Sequence, residues 1–257
     1  MDTIDARGRA MYLDLLIKVL TNTIYEDPST NPDNAGPFQM SVRSEGRDWP
    51  AIAHTMVGVR RLENLRTLTQ RAIDERVPGD LAETGVWRGG CCILMRAILA
   101  ANAIADRKVY AIDSFAGLPP PRAHLFPQDE GLNLHLYADL AVSLEKVQAN
   151  FARYGLLDEQ VIFLKGPFQD TLPSLEAGPF ALIRLDGDLY ESTYLALEAL
   201  YPKLSPRGFV VVDDYGALSA VRAAVGDYRA RMAIDAPMHT IDWTGVWWRR
   251  PGADTRP

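Results

Sequence analysis

From residue 80 onward the sequence repeats one beat, a short apolar run followed by a longer amphipathic one, and that alternation restricts the chain to few folds. DLAETGV (80–86), KVYAIDSF (108–115), QVIFLKG (160–166), FALIRLDGD (180–188) and GFVVVDDYG (208–216) read as buried strands, rich in β-branched residues. Between them GGCCILMRAILAAN (89–102), SLEKVQANFARYG (143–155) and YESTYLALEALYPKLS (190–205) place apolar residues at helical spacing. The pattern predicts an α/β domain with a mostly parallel sheet covered on both faces. The closing stretch HTIDWTGVWWRR (239–250) predicts an antiparallel hairpin at the sheet edge, turning around Thr244 and Gly245.

Ahead of this core the chain is helical. Met11, Leu15, Leu16, Val19 and Leu20 predict a helix over 10–26, and a second runs from His54 to Glu75 until Pro78 and Gly79 stop it. The proline-rich stretch DPSTNPDNAGPF (27–38) reads as a loop long enough to be a lid. The expected organisation is an N-terminal helical and lid region over 1–78 and a core over 79–257. With 47% apolar residues the chain is expected to be folded and soluble, and a net charge of −6 argues against nucleic-acid binding. No stretch reaches bilayer-spanning length, and the first residues lack the form of a secretory signal, so neither membrane nor export is expected. The two cysteines, Cys91 and Cys92, are neighbours at the start of a buried helix, which suits a reducing cytoplasm.

ETGVWRGG (83–90) joins the first core strand to its helix, the ligand-binding turn of an open α/β sheet. Gly85 permits a tight turn, and Gly89 and Gly90 a close approach at the helix start. Glu83 stands where a pyrophosphate would sit poorly, so a cationic ligand suits the turn better. The second strand ends in Asp113, where nucleotide-binding sheets hold a ribose. An adenosine with a positive centre satisfies both, and S-adenosylmethionine is such a molecule; NAD fits less well.

RLDGD and VVDDY end neighbouring strands, which brings Asp186, Asp213 and Asp214 to one edge. With no cationic partner legible nearby, three carboxylates call for a divalent ion, and an all-oxygen set favours Mg²⁺. Asp188, two residues beyond Asp186, is placed to act as a general base.

These segments together resemble the macrocin O-methyltransferase (TylF-like) family, whose hallmarks stand here as AHTMVGVRRLENL (53–65), GDLAETGVWRGG (79–90), AIDSFAGLP (111–119), ANFARYGLLDEQVIFLKGPFQDTLP (149–173), RLDGDLYEST (184–193), LSPRGFVVVDDYG (204–216) and GVWWRR (245–250). The resemblance implies a Rossmann-like class I methyltransferase fold with a seven-stranded sheet, and S-adenosylmethionine- and Mg²⁺-dependent methylation of a sugar hydroxyl in antibiotic biosynthesis, on macrolide or aminocoumarin glycosides. It implies that Glu83, Thr84, Gly85 and Gly89 line the cofactor pocket, with Asp113 on the ribose, Ser114 beside it, and Gln169 and Asp170 on the adenine. Thr55 and Met56 fall near the methyl group. Asp186 belongs both to the cofactor pocket and, with Asp213 and Asp214, to the metal, and Asp188 is the base. The family often has tyrosine where Trp49 precedes Pro50 here. The segments 27–46 and 120–140 are expected to read the acceptor, a small-molecule glycoside. His124 and His135 in the second are expected to be solvated loop residues.

Two rival readings accompany this one. A catechol or phenol O-methyltransferase uses a similar carboxylate arrangement, and a catalytically silent relative would bind cofactor without chemistry, though it would have no need to keep clustered repelling charges. A metal-dependent hydrolase would need a nucleophile or second metal that the sequence does not show. The first helix is expected to pair two copies into a homodimer through Leu15, Leu16 and Val19.

Overall fold

The computed structural model describes residues 6–252. In chain order the helices are α1 (Ala6–Leu20), α2 (Met40–Ser44), α3 (Gly58–Asp74), α4 (Gly90–Ala101), α5 (Leu144–Arg153), α6 (Phe168–Thr171), α7 (Tyr190–Leu200) and α8 (Ser219–Arg231). The strands are β1 (Asp80–Thr84), β2 (Val109–Asp113), β3 (Val161–Lys165), β4 (Phe180–Leu185), β5 (Leu204–Val212), β6 (Met238–Thr240) and β7 (Val246–Arg249). They form one sheet in the order β3-β2-β1-β4-β5-β7-β6. The first five strands run parallel, and β7 is antiparallel to both neighbours.

Strand β4 and residues 208–212 of β5 are buried on both faces, which is why they read as apolar runs, interrupted at Arg184, rather than as an alternation. One core lies between the sheet and the layer of α1, α3, α4 and α5, and a second between the sheet and α7 and α8. The predicted C-terminal hairpin forms, with its second strand inserted beside β5 so that β6 becomes the edge. Its turn is fixed by Asp242, whose Oδ1 accepts from the amides of Thr244 and Gly245 at 3.0 and 2.8 Å.

Two features differ from the sequence expectation. The sequence pattern predicts no helix over 219–231, because the buried stripe of α8, Ala220, Val221, Ala224, Val225 and Tyr228, is short-chained at its first four positions and interrupted by arginines. Helix α1 buries Leu13, Leu16, Ile17 and Leu20, whereas Met11, Leu15 and Val19 face outward, so Leu16 belongs to the core and not to an exposed pairing face. Among the described residues no helix is long and apolar enough to cross a membrane.

Candidate active site

Strand order reverses between β1 and β4, and the crevice of an open α/β sheet lies at such a point, beyond the carboxyl ends of the strands. Ladder contacts continue into the loops there: the amide of Gly85 donates to Ile112 O (3.0 Å), that of Asp186 to Thr84 O (2.9 Å) and that of Asp213 to Leu185 O (2.8 Å). A side chain on residue 85 would sit 1.6 Å from the Asp186 carbonyl, so the close passage of the two strand ends requires glycine. Beyond the ladder Trp87, Phe115, Asp188 and Asp214 all adopt positive φ, between +45 and +57°. Such strained turns gather at functional sites, and aspartate tolerates them better than most residues. Above the strand ends lies a cavity of about 680 Å³, in the range of small-molecule sites.

One end of the cavity is built from backbone. Asp113 Oδ2 accepts the Val86 amide at 2.6 Å, and its Oδ1 accepts the Phe115 amide at 2.7 Å. Burial raises its pKa against these hydrogen bonds. Ser114, Gly117, Pro167, Phe168 and Gln169 continue this wall.

The other end is built from charge. Ligand oxygens of Asp186, Asp188 and Asp214 lie within 4.8 Å of one another. Arg184, on β4 and almost wholly buried, donates to Glu83 Oε1 (2.6 Å) and Asp186 Oδ2 (2.9 Å) and pairs with Asp213. Arg61, from α3, pairs with Asp213, donates to Asp242 Oδ2 at 3.0 Å, and reaches the Glu45 and Gly46 carbonyls at 3.3 and 3.0 Å. The expectation that the carboxylates lack cationic partners is therefore corrected: two guanidinium groups enter the cluster. Both oxygens of Asp213 are held by arginine, and in this geometry Asp188 rather than Asp213 stands with Asp186 and Asp214.

Protonation follows from these contacts. Burial opposes ionisation of Asp213, yet Arg61 and Arg184 hold its pKa below the ordinary value. Burial, then the charge of Asp186, pushes Asp188 up to about 7. Burial followed by Asp213 and Asp188 pushes Asp214 well up, and burial with Asp213 raises Asp186. Glu83 is pushed to about 7 by burial. Among the described residues, Glu83, Asp186, Asp188, Asp213 and Asp214 surround two arginines, and burial and mutual repulsion make all of them but Asp213 hold a proton more readily than a free carboxylate unless a further cation replaces it. A hard divalent ion fits this all-oxygen set.

Of the expected cofactor residues, Met56, Gly85, Asp113, Ser114, Gln169 and Asp186 line the cavity, as do Asp188, Asp213 and Asp214. Thr55, Glu83, Thr84, Gly89 and Asp170 do not. Glu83 instead faces Arg184 and accepts from Cys92 Sγ at 2.9 Å, so its charge is met inside the protein. Thr55 Oγ1 accepts the Val57 amide at 3.3 Å, and a side chain at position 90 would collide with Thr55 and the His54 carbonyl, so this segment lies directly on the start of α4.

The stretch expected as a lid reaches the cavity through Asn31, Asp33 and Asn34, and the segment after α2 through Arg47, Asp48 and Trp49. The lid is pinned by Arg43, fully buried, which bonds Asp27 and Asp48 at 2.8 Å each and takes the Thr21 and Asp27 carbonyls. From 120–140 only Leu134 and Leu140 line the cavity, and neither His124 nor His135 does. Sequence reading missed Arg61, Arg184, Trp87 and Trp243 on the walls or beneath them. Trp243 rides on the β6–β7 turn, its indole N–H donating to Glu45 O at 2.8 Å and its ring under Arg47 at 4.0 Å.

A Rossmann-like sheet with this strand order, an adenosine-type acidic residue after β2 and an acidic cluster after β4 and β5 defines a class I methyltransferase. Residues 9–250 match the macrocin-O-methyltransferase (TylF) family, and the chain belongs to it. It is an S-adenosylmethionine-dependent O-methyltransferase. It is 53% identical over 251 residues, 97% of this chain and 96% of the relative, to 8-demethyl-8-(2,3-dimethoxy-alpha-L-rhamnosyl)-tetracenomycin-C 4'-O-methyltransferase of Streptomyces olivaceus. It is 50% identical over 245 residues, 94% of each chain, to demethyldecarbamoylnovobiocin O-methyltransferase of Streptomyces niveus. The solved structure of the O-methyltransferase NovP superposes with a TM-score of 0.91 at 50% identity, covering 95% of this chain and 99% of that one.

Proposed function

We propose that this enzyme transfers the methyl group of S-adenosylmethionine to a sugar hydroxyl of a glycosylated antibiotic-type natural product, with Mg²⁺ as a required ion. The observation that carries this is the acidic cluster at the ends of β4 and β5, which shares one cavity with Asp113, in a chain half-identical to relatives named for rhamnosyl-tetracenomycin and novobiocin precursors. Asp113 takes the ribose, with Ser114 beside it and Gln169 toward the adenine. Met56 borders the path of the methyl group. Glu83, Thr84, Gly89, Thr55 and Asp170 act from behind this wall, by fixing the strand end, the start of α4 and the α6 turn.

Asp186, Asp213 and Asp214 would hold the ion, which would lower the pKa of the acceptor hydroxyl and orient it. Asp188, poised near neutrality, takes the hydroxyl proton as the oxygen attacks the methyl carbon. Trp49 and Trp243 close the acceptor end and exclude water. The enzyme works in the cytoplasm as a homodimer.

A second arrangement is favoured by one observation: Asp188, not Asp213, clusters with Asp186 and Asp214. Calorimetric titration of Mg²⁺ into Asp188→Asn and Asp213→Asn separates the two. If Asp188 is the base, Asp188→Asn binds Mg²⁺ normally and loses turnover; if it is a ligand, Mg²⁺ binding falls with it. The reading as a whole is tested by incubating the enzyme with labelled S-adenosylmethionine and a panel of sugar-bearing and catechol acceptors, with and without EDTA. Label transfer to catechols alone, or transfer indifferent to EDTA, would overturn it.

A further inference from the structure

Helix α7 begins two residues after Asp188, and its N-cap position is occupied by Leu189, an apolar side chain that is buried and caps nothing. The first amides of a helix need acceptors from outside it, and here Tyr190 and Glu191 are buried, so water is a poor substitute. The acceptor comes from 61 positions away in the chain. Asp129, in the segment between β2 and α5, is completely buried; its Oδ1 takes the Tyr190 amide at 2.5 Å and its Oδ2 the Glu191 amide at 3.1 Å. One distant carboxylate thus does for α7 what an N-cap aspartate does for an ordinary helix, with its charge at the positive end of the dipole.

The surrounding segment holds Asp129 in place. Its own amide donates to Phe126 O at 3.0 Å, and the Phe126 ring packs on Tyr190 with centres 6.0 Å apart. Arg122 forks onto Glu191, with Nε donating to Oε2 at 3.0 Å and a second nitrogen pairing with Oε1. Residues 122–129 therefore grip the start of α7 at three points.

What the grip fixes is the turn in front of the helix. Asp188 sits there at φ +56°, and the Leu189 amide closes a tight bend onto the Gly187 carbonyl at 2.6 Å. A residue other than glycine keeps such a conformation where its surroundings over-determine it. On the strand side the turn is tied by the Asp186 amide to Thr84 O at 2.9 Å, and on the helix side by the two bonds to Asp129. We propose that Asp129 is a positioning residue for Asp188: by clamping the first two amides of α7 it fixes the direction in which the Asp188 carboxylate enters the cavity. Part of the segment expected to read the acceptor then serves the base. This role rests on Asp188 taking the acceptor proton, as proposed for the reaction.

Asp129→Ala removes both acceptor oxygens, and Asp129→Asn keeps one. In hydrogen/deuterium exchange the stretch 186–191 should exchange at least ten-fold faster in Asp129→Ala, while the second half of α7 stays protected. Methyl transfer is followed in a single turnover with labelled S-adenosylmethionine and whichever sugar-bearing acceptor takes label fastest. The rate should fall about 10²-fold in Asp129→Ala and about ten-fold in Asp129→Asn, since a displacement of about 1 Å at a reacting group costs that much. Affinities for S-adenosylmethionine and Mg²⁺, read by calorimetry, should not change. In an Asp188→Asn background the same substitutions should alter the rate by less than about three-fold, because the group they misplace is already gone.

An equal loss in both backgrounds overturns the proposal, leaving Asp129 a cap for stability alone and Asp188 still the base. Unchanged exchange over 186–191 overturns it too, as does a cofactor affinity that falls in step with the rate. An Asp188→Asn enzyme that keeps its turnover removes the base itself, and the positioning role with it. Should Asp129→Ala not fold, Asp129→Asn carries every one of these comparisons.

Discussion

The two ends of the cavity solve the same problem, holding polar groups at the rim of an apolar core, by opposite means. After β1 and β2, a single carboxylate, Asp113, is stabilised by the amides of Val86 and Phe115, groups whose position the backbone fixes. After β4 and β5, a crowd of carboxylates is balanced by Arg61 and Arg184 and by shared protons. Backbone amides leave a preformed, nearly neutral wall, fit for a ligand present in one form. Side-chain charge leaves a wall whose balance shifts when a proton or cation enters or leaves, which is what a reacting centre needs.

The comparison breaks first, and most severely, at Arg184. Replacing it by methionine leaves Glu83 buried with its arginine gone and Asp213 with Arg61 alone, and the loss of one partner from a buried charge network costs about 3–5 kcal/mol. Urea denaturation of Arg184→Met should show a loss of that order, with Glu83→Gln in the same chain recovering part of it. A loss below about 1 kcal/mol would mean that the acidic wall is already protonated and needs no arginine.

Asp188→Asn follows, with an effect confined to chemistry. If Asp188 takes the hydroxyl proton, kcat should fall about 10³-fold, or ~4 kcal/mol in the barrier, while S-adenosylmethionine affinity and the melting temperature change little. A matching rise in KM with kcat preserved would make Asp188 an acceptor-binding group instead.

Third is the pH dependence of stability without added metal. Glu83 has a pKa near 7 in the folded chain against an ordinary 4.5. The folded state therefore holds a proton that the unfolded state has released between those values, and stability falls as pH rises from about 4.5 through 7. The size is ~3 kcal/mol, and Glu83→Gln should flatten the slope. His54 works in the other direction: burial, then Arg153, lowers it to about 4, so its contribution is present above 6.5 and is lost as pH falls through 4. Melting curves at several pH values in EDTA would read both limbs.

How much of this was legible in the sequence differs between the two ends for a physical reason. The strand ends were readable because a doubly wound sheet delivers the residue after each buried run to one edge, so Gly85, Asp113, Asp186, Asp188, Asp213 and Asp214 could all be placed on the cavity without coordinates. The arginines were not. Arg184 sits inside the run LIRL, whose strand pattern says nothing of where its partner stands, although a charge in a fully buried strand must have one. Arg61 meets Asp213 across 152 positions of chain, and nothing local in VRRLENL says which of its two arginines turns inward. Glu83 was misread by the same omission: lacking Arg184, its charge had to be assigned to the ligand. Trp243 was hidden because the hairpin was legible as an edge, whereas the reach of its turn to the lid depends on Asp242 and Arg61.

The smallest expected effect tests whether the two ends are separable at all. Asp113→Asn keeps one acceptor oxygen for a backbone amide but puts an NH₂ where the other oxygen stood, beside an amide donor, and weakens the acceptor offered to a ribose. S-adenosylmethionine affinity should fall about ten-fold, some 1.4 kcal/mol, whereas Mg²⁺ affinity measured without cofactor should not change. That independence follows from the geometry, because the carboxylate of Asp113 is held by amides of the β1 and β2 turns and by the Ser114 hydroxyl, while the two arginines bind Glu83, Asp186, Asp213 and Asp242. If Mg²⁺ affinity falls together with cofactor affinity, the coupling runs where the β1 and β4 ends touch, at the close passage of Gly85 against Asp186 and the Arg184–Glu83 pair behind it.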